Sequence, residues 1–288
     1  MNSYFLIGLL LPLAGLASKY VSLAIVCIAK RSVDAFRQND FTEDVIMYFI
    51  LASFFSFAAY LLLTVETASE VIIYGFALAF ISLAPVCNSI FIPLLALLRR
   101  QKNLDEDGKR LTERTQQLTG RRYPVYVSQK NILNAFASGV LPFSKIIVFG
   151  KPLLEKLDST ATNGILCHEV AHLKKHHLLK MLLVNLLWIY ITFGGFLLLR
   201  PAVPNEYMVW FVGLYYGLMA GGGSVMLLGR FQKKLELEAD QWAAKIVGTE
   251  EMQHALLQLN EVTGNEMETW SWNYPQLSER INALRKSA

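Results

Sequence analysis

Five stretches of this 288-residue chain are apolar over lengths that no small soluble domain tolerates in series. They run approximately 4–29, 45–64, 71–98, 178–199 and 207–228. A hydrocarbon core about 30 Å thick takes roughly 20 apolar residues in a helix, so each is long enough to span it. The second, VIMYFILASFFSFAAYLLLT, has no charged residue, and the third contains Pro85 and Pro93. The first contains Lys19. A lysine within a span costs ~3 kcal/mol on insertion scales, which the surrounding residues offset. A bundle-facing or snorkelling lysine is the plain reading, and a substrate contact the sharper one. Met1-Asn2-Ser3 lacks the positive charge that opens a secretory signal, so this run reads as a span. Hydrophobic residues make up 53% of the chain and charged residues 17%, with a mean hydropathy of +0.35. That is the composition of a membrane protein rather than an ordinary soluble enzyme. The net charge of +4 gives no argument for nucleic acid as a partner.

Lysine and arginine set the orientation of such a chain. Lys30, Arg31 and Arg37 follow the first run, whereas the VETASE loop after the second carries two glutamates and no positive charge. Arg99, Arg100 and Lys102 follow the third, Lys174, Lys175 and Lys180 lie at the start of the fourth, and Arg230, Lys233 and Lys234 follow the fifth. The alternation places the N-terminus outside and 99–177 and 229–288 on the cytoplasmic side. Gly213, Gly217 and Gly221, four apart, would give the fifth run a face without side chains for packing on the fourth. The three cysteines, Cys27, Cys87 and Cys167, form no CxxC pair and read as buried reduced thiols.

The polar pieces divide the remainder. Residues 1–98 form an N-terminal membrane region, 99–177 and 229–288 are two parts of one α+β domain, and 178–228 is a transmembrane hairpin between them. In 99–177, LTERTQQLTG suits an amphipathic helix stopped by Gly120. RYPVYVSQ, ILNAFASG and KIIVFG suit strands. A longer helix is capped by Asp158, Ser159 or Thr160. In 229–288, KKLELEADQWAAKIVG stops at Gly248, and TEEMQHALLQLNEVTG starts at a Thr249 cap and stops at Gly264. YPQLSERINALRK begins with Pro275 at a first helical position.

The longer helix of the first piece contains CHEVAHLKKHH, Cys167 to His177. Residues four apart share a helix face, so His168 and His172 can point two imidazoles at one tetrahedral ion. Glu169 lies about 100° round the helix, off the metal but close enough to hold a water. A catalytic zinc needs a third protein ligand. His176 cannot supply it, because three ligands in line on one helix would span about 12 Å. In the second piece Glu236 and Asp240 are four apart. Glu236 can bind zinc while Asp240 accepts a hydrogen bond from a ligand histidine. The plain alternative is a charged face salt-bridged to Lys233 and Lys234. Glu238 points elsewhere and reads as solvated. Lys174, Lys175, His176 and His177 read as an anchor for anionic lipid headgroups, with His176 and His177 as extra ligands the alternative. His254 reads as an exposed helix residue.

HEVAH, a two-span insertion and then ELEAD resemble the membrane gluzincin metallopeptidases, which include the bacterial HtpX-type proteases and the zinc CAAX prenyl proteases. The resemblance covers about 120–288. NAFAS resembles the family's substrate-binding edge strand, FSKIIVFGKPLLEKLD its strand and helix leading to the zinc helix, and YPQLSERINAL its closing helix. The first 98 residues match no motif. The resemblance implies His168, His172 and Glu236 as ligands of one Zn2+ per chain. It implies Glu169 as the general base and Asp240 as the residue that orients a ligand. Asn134, Ala135 and Phe136 would lie on the strand that pairs with substrate, with Asn134 a donor to the oxyanion. The family commonly has histidine where this chain has Tyr274, whose hydroxyl can donate a similar bond.

The expectation is thus an α+β gluzincin-like domain, split by a transmembrane hairpin, in a multi-pass helical membrane protein. Its partners are a peptide or membrane-protein substrate and the lipid bilayer, not nucleic acid. The activity is zinc-dependent endopeptidase cleavage at the cytoplasmic face of a bacterial membrane, in HtpX-like quality control; an endoplasmic reticulum membrane is the alternative. Processing of prenylated C-termini and a sensor cutting a dedicated regulator are the competing roles. The six-residue loops VETASE and PAVPNE offer little to a sensor.

Overall fold

The computed structural model describes residues 105–288 except 270, 272 and 288, together with isolated positions between 75 and 89. The chain divides into two units, Met1–Phe80 and Ile81–Ala288, and the described residues lie almost wholly in the second. The expected spans at 4–29 and 45–64, with Lys19, fall outside them, and 71–98 is described at only a few positions.

The first described helix, α1 (Glu106–Thr119), begins where the Asp105 carboxylate accepts the Gly108 amide at 2.8 Å, with Glu106 and Asp107 in the first turn. Both features favour the positive end of the helix dipole. It stops at Gly120, whose φ of 72° is a left-handed conformation that glycine adopts without a Cβ clash. Three short strands follow: β1 (Val125–Ser128), β2 (Ala135–Ser138) and β3 (Ile146–Gly150). Their order is β1-β3-β2, with β1 parallel and β2 antiparallel to β3. The central strand IIVFG is buried along its whole length, as a strand covered on both faces must be. The hydroxyls of Thr112 and Thr115 accept the Val125 and Tyr123 amides at 2.9 and 3.0 Å, which fixes α1 to the entrance of β1. On the far side β2 is an edge strand.

A short helix, α2 (Lys151–Lys156), leads into α3 (Ser159–Lys174), capped by the Asp158 carboxylate accepting the Ala161 amide at 2.7 Å. Leu166, Val170 and Leu173 of α3 pack with Ile147, Phe149 and Leu153 in the main core. Helix α4 (His177–Leu199) follows almost at once. The run His177–Ala202 has a mean hydropathy of 2.1 and is long and apolar enough to cross a membrane. Leu187 and Leu198 on it are 59% and 82% exposed, so the described residues leave this surface uncovered. An apolar face of that extent calls for lipid or another helix.

The return path is α5 (Met208–Tyr216), a π-helical segment (Gly217–Gly223) and α6 (Ser224–Val247), with no loop between them. The expected fifth span, 207–228, therefore contains a π segment, and the helix runs straight on into ELEAD. Gly213 and Gly217 face open space rather than α4, contrary to the expected glycine face. The close approaches are made elsewhere: Gly195 lies against Tyr215, and a Cβ on Gly223 would come within 2.6 Å of the Trp188 ring. Two further helices, α7 (Thr249–Val262) and α8 (Leu277–Ser287), close the unit. Gly248, not Thr249, caps α7. Helix α8 starts after Pro275, where the Glu279 carboxylate accepts the Gln276 amide at 2.9 Å, half of a capping box.

Candidate metal centre

Helices α3 and α6 meet where α3 carries HEVAH and α6 carries ELEAD. One ligand atom each from His168, His172 and Glu236 lies within 4.8 Å of the others. His168 Nε2 and His172 Nε2 are 3.1 Å apart. The Glu236 carboxylate oxygens stand 3.3 Å from His168 Nε2 and 3.8 Å from His172 Nε2. Two ligands about 2.0–2.1 Å from a tetrahedral zinc stand roughly 3.4 Å apart, so these spacings fit the ion. The donor set fits as well: two imidazoles and a carboxylate are a common catalytic zinc set, although in the metal-free site the burial of His168 is outweighed by Asp240 and Glu236, which raise it to about 10, so that zinc would displace its proton. Burial and the neighbouring His168 hold His172 down to about 3, which keeps its imidazole neutral and able to ligate. For Glu236, burial alone would raise the carboxyl, but the bond to His168 and the surrounding positive charges bring it down to about 2.

His168 Nδ1 donates to Asp240 Oδ1 at 2.8 Å. Asp240 is fully buried and is itself gripped by Arg280, through Nε at 2.7 Å and Nη2 at 2.5 Å. Burial opposes ionisation of Asp240, yet Arg280 outweighs it and holds the carboxyl at about 2. The expected orienting role of Asp240 thus has a second tier. Arg280 reaches in from α8, a residue that the sequence reading passed over. Its signal lay in the helix period: Leu277, Arg280 and Leu284 share the buried face, and an arginine at a core position announces a buried anion.

Glu169 is buried beside the ligands, 7% exposed, and burial pushes its carboxyl up to about 7 against the pull of His168. The backbone of Ala137, on β2, lies near enough to draw this carboxyl slightly down again. The edge strand therefore runs directly past the candidate base. Ala135 is buried on that strand, and Phe136 is 42% exposed. Asn134 stands just before it, exposed, its Oδ1 accepting its neighbour's amide, Ala135 N, at 2.9 Å. Tyr274 is 49% exposed, and its phenol is raised by partial burial and then by the Glu236 carboxylate.

Three readings change. Glu238 is not simply solvated, since its carboxylate lies 3.2 Å from Lys175, 3.5 Å from His177 and 3.8 Å from Lys180. The chain turns sharply at His176, so His177 is 1% exposed and points into the protein rather than at headgroups. The proposed partners of the ELEAD face also differ: Lys233 pairs with Glu279 at 3.8 Å. His254 is half exposed, and its Nε2 meets the Asp158 carboxylate at 2.7 Å.

Comparison with known proteins gives a consistent picture. The model of peptidase family M48 matches residues 98–288. A "Protease HtpX homolog" of Bacillus pumilus (strain SAFR-032) is 23% identical over 245 residues, covering 74% of this chain and 82% of that protein. A "Protease HtpX homolog" of Leptothrix cholodnii is 27% identical over 184 residues, covering 54% of this chain and 62% of that protein. Among solved structures, S. mikatae Ste24p superposes with a TM-score of 0.63 at 18% identity, over 95% of this chain and 74% of that one, a likeness of fold.

Proposed function

The chain belongs to peptidase family M48, and from that premise we propose that it is a zinc-dependent endopeptidase working at a membrane surface. The observation that carries the reading is the convergence of His168, His172 and Glu236 with Glu169 buried beside them. Zinc held by those three side chains would supply a Lewis acid that acidifies water and polarises a carbonyl.

Glu169 takes the proton of the attacking water and delivers it to the leaving amine. A carboxyl raised to about 7 suits both halves of that task, since it can accept and release a proton near neutrality. Asp240, gripped by Arg280, keeps the His168 ring in one orientation and one tautomer. Substrate adds as a strand along the open edge of β2, which passes Glu169, where main-chain hydrogen bonds tolerate many sequences. Asn134 and Tyr274 are the proposed donors to the oxyanion, Tyr274 from the position where relatives commonly have histidine.

The apolar helix α4 leaves the zinc helix after only two residues, and α6 returns from the hairpin directly into the third ligand. Both halves of the site hang from one hairpin, which favours substrates presented at the bilayer. The charge pattern of the loops supports the cytoplasmic face, and the likeness to HtpX homologues supports quality control of membrane proteins in a bacterial membrane. The test is cleavage of casein by the detergent-purified chain with zinc, beside Glu169→Gln. Cleavage by the wild type alone supports a broad endopeptidase. Equal cleavage by both would refute the assigned base, and a wild type that binds zinc but leaves casein intact would replace the broad reading with a dedicated substrate.

A further inference from the structure

The two ligand histidines are each supported from behind, but in different ways. His168 leans on Asp240 and Arg280. Behind His172 stands His177, with its Nδ1 3.1 Å from His172 Nδ1 and the two rings edge to face at 5.0 Å. His177 is buried to 1% exposure, and its other nitrogen, Nε2, makes no hydrogen bond but lies 3.5 Å from the Glu238 carboxylate. Glu238 lies two residues beyond the ligand Glu236 on α6.

The backbone is bent to bring this about. Helix α3 ends at Lys174, and His176 takes φ 57° and ψ 35°, a left-handed conformation unusual for a residue with a Cβ. That single turn folds His177 back beneath His172 while starting α4. Strain of this kind persists where the surrounding contacts over-determine it.

The hydrogen positions follow. With His172 Nε2 directed at the metal position, its proton sits on Nδ1 and is donated to His177 Nδ1. The His177 proton then sits on Nε2, facing Glu238. We propose that His177 is a positioning residue for the metal: supported by Glu238, it fixes the ring orientation and tautomer of His172, and it ties that ligand to the first residue of the membrane helix. The proposal rests on the zinc reading above.

The experiment is zinc affinity of the full detergent-purified chain, measured by competition with a chromophoric chelator. His177→Phe keeps ring volume and loses both nitrogens. His177→Asn places an acceptor oxygen where Nδ1 stood. Glu238→Gln keeps the shape and removes the charge. Loss of a partner behind a ligand typically weakens metal binding 10–100-fold. His177→Phe should lose affinity by about that factor, with the thermal unfolding of its zinc-free form unchanged, and His177→Asn should recover most of it. Affinity of His177→Phe equal to wild type would overturn the proposal, as would equal losses in Phe and Asn variants. Should His177→Phe not fold, Glu238→Gln decides, with weakened zinc binding supporting the strut and unchanged binding overturning it. A wild type that binds no stoichiometric zinc overturns the metal reading itself, and the proposal with it.

Discussion

Replacing Arg280 by methionine would show how much of the site is held by one buried cation. Arg280 gives Asp240 two of its three hydrogen bonds, at 2.5 and 2.7 Å, and the third comes from His168 at 2.8 Å. Asp240 is fully buried and Arg280 only 7% exposed, so water cannot replace what the substitution removes. Methionine fills much of the volume of the arginine stem but leaves a carboxylate without its counter-charge. Breaking a buried pair from one side costs about 3–5 kcal/mol. For a unit of this size each kcal/mol lowers the melting temperature by roughly 2–4 °C, so the metal-free protein should melt about 6–20 °C earlier. Arg280→Met combined with Asp240→Asn removes both charges, while the asparagine oxygen still accepts from His168. The pair should regain most of the lost stability, because what is costly is the unpaired charge rather than the missing contact. Thermal unfolding followed by circular dichroism in detergent, without zinc, measures all three variants. A single-variant drop under about 3 °C, or a double variant no more stable than the single, would refute the reasoning.

Other outcomes are equally open to measurement. A carboxyl that burial raises to about 7 favours folding only while protonated. That contribution is complete below the unfolded value of about 4.3 and is lost as pH rises through about 7. Glu169→Gln cannot ionise, so in zinc-free protein it should raise the melting temperature at pH 8 and leave it unchanged at pH 4; the opposite pH dependence would argue against a buried Glu169. In the zinc helix, a Cβ on Gly164 would sit 2.6 Å from the Ala255 Cβ. Gly164→Ala should therefore cost about 1–3 kcal/mol, whereas Gly213→Ala, which meets nothing within 4 Å, should leave the unfolding curve in place. Burial pushes the Cys167 thiol up to about 12. With Cys27 and Cys87 changed to serine, a thiol reagent at pH 8 should label the unfolded chain and spare the native one.

The residues whose chemistry shows in local spacing were legible in advance. His168 and His172 share a face because they are four apart. Glu236 and Asp240 repeat that spacing on a second helix, and Asp158 is a carboxylate placed where a helix begins. Strand positions were legible from β-rich runs, although the sheet order β1-β3-β2 was not, since nothing in three short apolar segments says which pairs with which. Arg280 was passed over and His177 was read as a headgroup anchor for one reason. Their partners are set by tertiary approach, Asp240 being 40 residues from Arg280, and by a backbone turn at a non-glycine residue that sequence does not signal. The glycine face failed because spacing alone does not say which side of a helix meets its neighbour; the close approaches fall at Gly195 and Gly223 instead.

The hairpin between the two halves of the site also sets a schedule for its assembly. Asp240 lies 72 residues after His168 and Arg280 lies 112 after it. At a synthesis rate of about 5–20 residues per second, the last of these contacts becomes available roughly 6–22 s after the first histidine is made. In that interval α4 and its return partner are made, and the histidine pair has neither Glu236 nor its buried support. On the proposed zinc-peptidase reading, a nascent chain would therefore leave the ribosome with its hydrolytic site incomplete, and cutting power would come only with the last helix.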